Sequence, residues 1–219
     1  MKKTFLLSCL MLAAMPVMAA YTGHVYVDKN KNGVFDQSEK PLAGIKVSDG
    51  LNVVETAADG SFTLPGHERE RFIFITTPSG YKTFNRHYHK IEKKQSGYDF
   101  GLIPYSGRIR KNGSHRYIHI ADTEIFNTEN HADWVNNVRD YARNEQAAFI
   151  IHTGDLCYEK GLKAHIKLMN TENMDCPVFY CIGNHDLVKG KYGEELFESI
   201  YGPVYYSFDA GNVHYIVTP

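Results

Sequence analysis

Four clusters carry side chains able to do chemistry. Asp122-Thr123-Glu124 follows the apolar run Tyr117–Ala121, and Gly154-Asp155 closes a segment that begins with Ala148–Ile151. Gly183-Asn184-His185-Asp186 follows Pro177–Ile182. Carboxylates, an amide and an imidazole are donors for hard and borderline divalent cations, and an imidazole among carboxylates can move a proton. The fourth cluster is a twelve-residue stretch from Asp28 to Glu39. It fits a calcium loop, with oxygen side chains Asp28, Asn30, Asn32, Asp36 and Glu39, the carbonyl of Val34, and Gly33 at the sharp turn. The plainer alternative is a solvated Asn/Asp/Gly turn. Tyr26-Val27 before it reads as strand, so the loop lacks the flanking helix of a helical hand and is expected to stabilise rather than to switch.

The elements that must position these groups differ between the two halves. From Tyr21 to Ile103 short β-type runs alternate with turn residues: Thr22–Val27, Ile45–Ser48, Leu51–Thr56, Ser61–Leu64, Arg71–Thr77 and Tyr98–Leu102. Asp49-Gly50 and Asp59-Gly60 between successive runs predict hairpins, and the whole predicts a small β-sandwich. After a Gly/Ser/Arg-rich linker the pattern becomes strand, helix, strand, helix, strand. The helices are marked by Trp134, Val138, Tyr141 and Ala142, then by Leu162, Ile166 and Met169, and a third by Leu196, Phe197, Ile200 and Tyr201. This alternation predicts a parallel sheet with helical crossovers, whose strand C-terminal ends gather the acidic clusters along one edge.

Those strand-end residues resemble the motifs of calcineurin-like metallophosphoesterases, Asp-x-His, Gly-Asp and Gly-Asn-His-Asp or -Glu. The matching positions are Asp122, Gly154-Asp155 and Gly183-Asn184-His185-Asp186, and Tyr205–Asp209 with Val213–Ile216 resembles the hairpin entering that family's second sheet. The resemblance implies a phosphate-ester substrate and two divalent cations (Mn, Mg, Fe or Zn) roughly 3.5–4 Å apart. It implies Asp155 as the bridging ligand, Asp122 on the first cation and Asn184 on the second. His185 would stabilise phosphoryl oxygens or protonate the leaving group, with Asp186 orienting its imidazole.

Glu124 stands where the family has His. Either it binds metal and favours Mg²⁺ or Mn²⁺, or it faces solvent with water in its place. The family's later His and Gly-His-x-His ligands have no match up to Pro219, so the expectation is the N-terminal part of a longer enzyme or a truncated copy. The first half resembles the prealbumin-like domains that precede some bacterial metallophosphoesterase domains. That resemblance rests on the calcium-type loop, Gly44–Gly50, Thr56–Phe62 and Pro78–Tyr81.

Residues 1–20 read as a secretory leader: Lys2-Lys3, an apolar stretch from Phe5 to Val17 and small residues at the cleavage point. The apolar run is short for a membrane anchor, and Leu6-Leu7-Ser8-Cys9 is a weak lipobox because the run continues past Cys9. The expectation is a periplasmic or secreted protein. Its divisions are a leader (1–20), a sandwich (21–103), a linker (104–116) and the N-terminal portion of a phosphoesterase domain (117–219). With 24 Lys+Arg against 25 Asp+Glu, no basic excess points to nucleic acid. Cys157, Cys176 and Cys181 are odd in number; the last two flank an extended run spanning about 16 Å, beyond disulfide reach. They are expected as free, small apolar residues. His87 and His89 are expected as exposed strand residues and His119 and His152 as core or interface residues. His67 and His165 carry no spacing signal, and His214 matches no motif. The function expected is an exported metal-dependent phosphoesterase; the alternative is a calcium-stabilised binding module carrying an inactive phosphoesterase remnant.

Overall fold

The computed structural model describes residues 20–219 other than Ser96, Gly107, Lys189 and Lys191. The leader expected over residues 1–20 lies, Ala20 apart, outside the described residues. The first half folds into β1 (Ala20–Val27), β2 (Lys40–Pro41), β3 (Lys46–Ser48), β4 (Val53–Glu55), β5 (Ser61–Pro65), β6 (Phe72–Ile75), β7 (Tyr81–Thr83), β8 (Tyr88–Lys90) and β9 (Phe100–Pro104). One sheet runs β2-β1-β9-β7 with β5 also on β1, and the other runs β4-β3-β6-β8. Alternation along β1 and β5 sends Tyr21, Val25, Phe62 and Leu64 inward, against Val47, Ile73 and Ile75 of the second sheet.

Asp49-Gly50 turns β3 into its antiparallel partner β4 as expected. Asp59-Gly60 does not make a hairpin. β4 stays in the second sheet while β5 pairs with β1, so this turn carries the chain between sheets. The Asp59 carboxylate accepts the Ser61 amide, and Gly60 sits at φ +77° under Val25, where a Cβ would lie 2.6 Å from the Val25 oxygen. Turn chemistry fixed the reversal; the apolar face of β5 selected another partner.

The second half is β10 (Arg116–Ile120), α1 (Ala132–Asn144), β11 (Ala147–His152), α2 (Glu159–Leu168), β12 (Val178–Tyr180), a 3₁₀ turn (Asn184–Asp186), α3 (Glu195–Tyr201), and the hairpin β13 (Tyr206–Ala210) with β14 (Val213–Val217). β10, β11 and β12 are parallel in that order, joined by α1 and α2. β11 is buried almost throughout because both faces are covered. Ile150 faces Val135, Ala142 and Val178, whereas Phe149 and Phe179 face the hairpin, with Phe179 stacked on Phe208 at 3.5 Å between centroids. The buried stripe of α1 is Val135 and Ala142; Trp134 and Tyr141, expected on that stripe, are 41% and 60% exposed. Val138 and Ala142 of the expected stripe do pack on the core; Val135 takes the place of Trp134.

The halves are packed together. Beyond β6, Thr77 bridges to Phe208, the Asp209 amide donates to the Thr77 oxygen at 2.8 Å, and the Thr76 and Ser207 hydroxyls meet at 2.8 Å. The Arg71 guanidinium reaches both oxygens of Glu198, at 3.0 and 2.5 Å, and Tyr192 Oη donates to the same carboxylate at 2.8 Å. Glu198 is 3% exposed, so an unpaired charge there would be costly and Arg71 offsets it. His87, expected in solvent, packs on the Tyr206 ring at 4.5 Å. Among the described residues the cysteines are free, Cys157 and Cys176 buried and Cys181 partly so. No helix among them is long and apolar enough to cross a membrane.

Two histidines, His152 and His165, are fully buried. Loss of hydration pushes the His152 pKa down to about 4 and holds His165 well below the usual value of 6.5; His119 and His152, respectively, push the same way. Below pH 6.5 the unfolded chain takes up protons that the folded chain refuses at these rings. Their contribution is therefore intact above about pH 6.5 and is lost as pH falls toward 4. Between pH 7 and pH 5 the expected loss from His152 is about 1–2 kcal/mol, with His165 acting in the same direction, read as a lower urea midpoint. A midpoint unchanged between those pH values contradicts this burial.

Candidate functional site

The parallel ladder continues past the strands and aligns their ends. The Thr153 amide donates to the Ile120 oxygen, Asp122 to Gly154 and Cys181 to His152, at 2.9, 3.1 and 2.7 Å. Gly154 and Gly183 let the ends of β11 and β12 touch. A Cβ on Gly154 would lie 2.7 Å from the Gly183 Cα, and one on Gly183 would lie 2.2 Å from the Asp155 nitrogen. The chain bends sharply at this edge: Asp122, Glu124 and Asp155 sit in the left-handed region at φ 55°, 44° and 52°. Each such residue without glycine's freedom costs about 1–2 kcal/mol, and clustering of such strain is a mark of a functional edge.

The structure brings Glu124, Asp155 and His185 together. The His185 amide donates to Asp155 Oδ1 at 3.0 Å; its Nδ1 lies 3.1 Å from Glu124 Oε1 and 3.9 Å from Asp155 Oδ2. The ring stacks on Tyr158 at 4.8 Å between centroids. Glu124 thus turns toward the imidazole rather than away from the site. Asp122 is exposed at the end of β10, and its amide ties it to Gly154. Asn184 is exposed at the start of the 3₁₀ turn.

Asp186, expected behind the His185 imidazole, is turned to the backbone instead. It is fully buried and accepts the Cys157 amide at 3.1 Å and the Gly183 amide at 2.8 Å. Burial raises its pKa, while those backbone amides pull the other way. It braces the segment after Asp155 against the turn that carries His185. The imidazole takes its orientation from Glu124 and Tyr158, a role no spacing signal assigned to either.

The donor set at this edge (three carboxylates, one amide oxygen and an imidazole) suits Mg²⁺, Mn²⁺, Fe or Zn²⁺ and is partly exposed. Another cluster, passed over in the sequence, joins Asp49, His67 and Glu70, whose donor atoms lie within 4.8 Å of one another. There His67 Nδ1 accepts the Arg69 amide at 3.1 Å, which leaves the proton of the neutral ring on Nε2, 3.4 Å from Asp49 Oδ1. The nitrogen facing Asp49 then carries a proton rather than a free lone pair, and it makes no hydrogen bond there. Only His67 and Glu70 are close in sequence, so no local pattern announces it.

The loop from Asp28 to Glu39 folds around its carboxylates. Asp28 (1% exposed) accepts the Asn32 and Gly33 amides, and Glu39 (6%) accepts those of Lys29 and Asp36. The side-chain amides of Asn30 and Asn32 both reach Asp36 Oδ2, at 2.7 and 3.1 Å. Five of the expected oxygen-bearing side chains are thereby linked, while the Val34 side chain is exposed. Among the other histidines, His119, expected in the core or an interface, is exposed on β10 and meets the Thr153 hydroxyl at 2.8 Å, and His214 meets Asp209 at 2.6 Å.

Comparison with known families gives two adjoining matches. Residues 29–104 match the family described as the N terminal of calcineurin-like phosphoesterase, and residues 115–216 match the calcineurin-like phosphoesterase family itself. A search of curated proteins finds no match.

Proposed function

The chain belongs to the calcineurin-like phosphoesterase family, and from that premise we propose that it is an exported hydrolase of phosphate esters working with two divalent cations. The family implies metal-dependent phosphoester hydrolysis. The observation that carries the finer reading is the convergence of Glu124, Asp155 and His185 where β10, β11 and β12 end, with Asp122 and Asn184 on the same edge. In this proposal Asp122 and Glu124 would hold one cation, Asn184 would hold the other, and Asp155 would be a ligand to both. Cations held there would polarise a phosphoryl oxygen and acidify water at the site. Glu124 holds the Nδ1 proton of His185, and Nε2 is left to donate to a phosphoryl oxygen or to the leaving group. Asp186 keeps the turn in place. Residues 1–20 are proposed as the export leader, 21–103 as the sandwich, 104–116 as the linker and 117–219 as the phosphoesterase portion. The end of β9 at Pro104 and the start of β10 at Arg116 support that division.

Mn²⁺ titration followed by electron paramagnetic resonance, with bis-p-nitrophenyl phosphate hydrolysis alongside, tests the site. The parent chain is expected to bind Mn²⁺ and Asp155→Asn to bind it at least about tenfold more weakly, because a shared anionic ligand is lost. Equal binding by the two, or none by the parent, contradicts the assignment. Binding without hydrolysis favours the alternative of a binding module with an inactive remnant.

We also propose that the Asp28–Glu39 loop holds a structural Ca²⁺, supported by the buried Asp28 and Glu39 carboxylates flanking Asp36. With a Kd of about 0.1 mM, 1 mM calcium adds about 1.4 kcal/mol. The thermal midpoint of the whole chain should rise with calcium, fall with chelator, and lose this response in Glu39→Gln. A midpoint indifferent to calcium overturns it.

A further inference from the structure

We propose that His152 is a positioning residue for the candidate metal site: its Nε2–H holds the Thr123 hydroxyl and thereby fixes the turn that presents Asp122 and Glu124. The inference rests on the proposed metal-binding role of those two acids and names a buried group that sets their geometry.

The turn cannot hold its own shape. Asp122 and Glu124 are both left-handed, at φ 55° and 44°, with Thr123 between them. Four contacts tie this segment to the neighbouring strand end. Two are backbone bonds, Asp122 N to Gly154 O and Ile125 N to Leu156 O, both 3.1 Å. The third is a side-chain contact, Thr123 Oγ1 to His152 Nε2 at 2.8 Å. It and a longer bond from the same hydroxyl to the Leu156 oxygen, 3.4 Å, are the contacts on the residue between the two acids, and the His152 contact is the shorter.

Hydrogen-bond accounting gives the direction. Thr123 Oγ1 donates to the Leu156 oxygen at 3.4 Å, so its lone pair is left to accept from His152 Nε2–H. His152 Nδ1 has no partner and is fully enclosed. An unpartnered buried N–H is rarer than an unpartnered acceptor, so the proton belongs on Nε2 and the bare lone pair on Nδ1. A wall behind the ring keeps it in place. His165 stands edge-on to it at 5.2 Å and 85°, and is itself held by Tyr201. Tyr201 Oη donates to the Leu162 oxygen at 2.9 Å and therefore accepts from His165 Nδ1–H at 3.0 Å. The support thus runs from α3 through α2 and the end of β11 to the acid-bearing turn.

The test compares Thr123→Val, which keeps the shape and removes the acceptor, with Thr123→Ser, which restores it. In the parent and in Thr123→Ser, ¹⁵N NMR of the imidazoles should find His152 as the Nε2–H tautomer; in Thr123→Val its Nε2 resonance should shift. Mn²⁺ affinity should fall about tenfold or more in Thr123→Val, the effect usual for loss of an outer-sphere partner, and stay near the parent's in Thr123→Ser. The Nδ1–H tautomer in the parent, or equal Mn²⁺ affinity in Thr123→Val and the parent, overturns the proposal. So does a Thr123→Ser variant as weak as Thr123→Val. If the parent binds no Mn²⁺, the metal reading itself falls, and the ring nitrogens still decide whether the pin exists.

Discussion

No side chain fits between the ends of β11 and β12. A Cβ at Gly183 would stand 2.2 Å from the Asp155 nitrogen and 2.3 Å from its Oδ1, so only glycine allows these two strand ends to lie against each other. The rest of the site depends on that contact. It lets the His185 amide reach Asp155 and brings the imidazole within 3.1 Å of Glu124 from the third strand end. A buried carboxylate, Asp186, then locks the arrangement by accepting amides from both sides of the contact, Cys157 and Gly183. Charge at the surface is organised by packing beneath it.

The same logic explains where the strain is tolerated. Three acids in left-handed backbone would relax if the segment were loose. Asp155 follows a strand covered on both faces, with Ile150 and Val178 under helices and Phe149 and Phe179 under the β13–β14 hairpin, and Asp122 and Glu124 are tied to that strand's end by backbone bonds. That hairpin is in turn tied to the sandwich through Thr77, Asp209 and Ser207, and α3 through Glu198 and Arg71. The first half therefore buttresses the scaffold of the site while contributing none of the strand-end acids.

Much of the edge was legible in the sequence because Asp122, Asp155 and Asn184 come at or shortly after the ends of short apolar runs that form the parallel strands. What escaped the reading depends on partners distant in sequence. Asp59-Gly60 signals a reversal, yet β5 goes on to pair with β1, a strand distant in sequence, rather than with β4. Trp134 and Val135 are neighbours on a helix, and the packing surface chose the smaller one. Asp186 stands beside His185 in sequence but is aimed at backbone amides by the 3₁₀ turn. Thr123 has no signature at all, since its meaning comes from a histidine 29 residues later. Asp49 and His67 likewise meet only once the two sheets have formed.

Anomalous diffraction from crystals soaked in Mn²⁺ tests the central claim most directly, since it locates the cation without reference to turnover. The account predicts manganese peaks at the ends of β10, β11 and β12, in contact with Asp155 and flanked by Asp122 or Glu124 and by Asn184. Manganese bound at Asp49, His67 and Glu70 alone, with none at the strand ends, would contradict it.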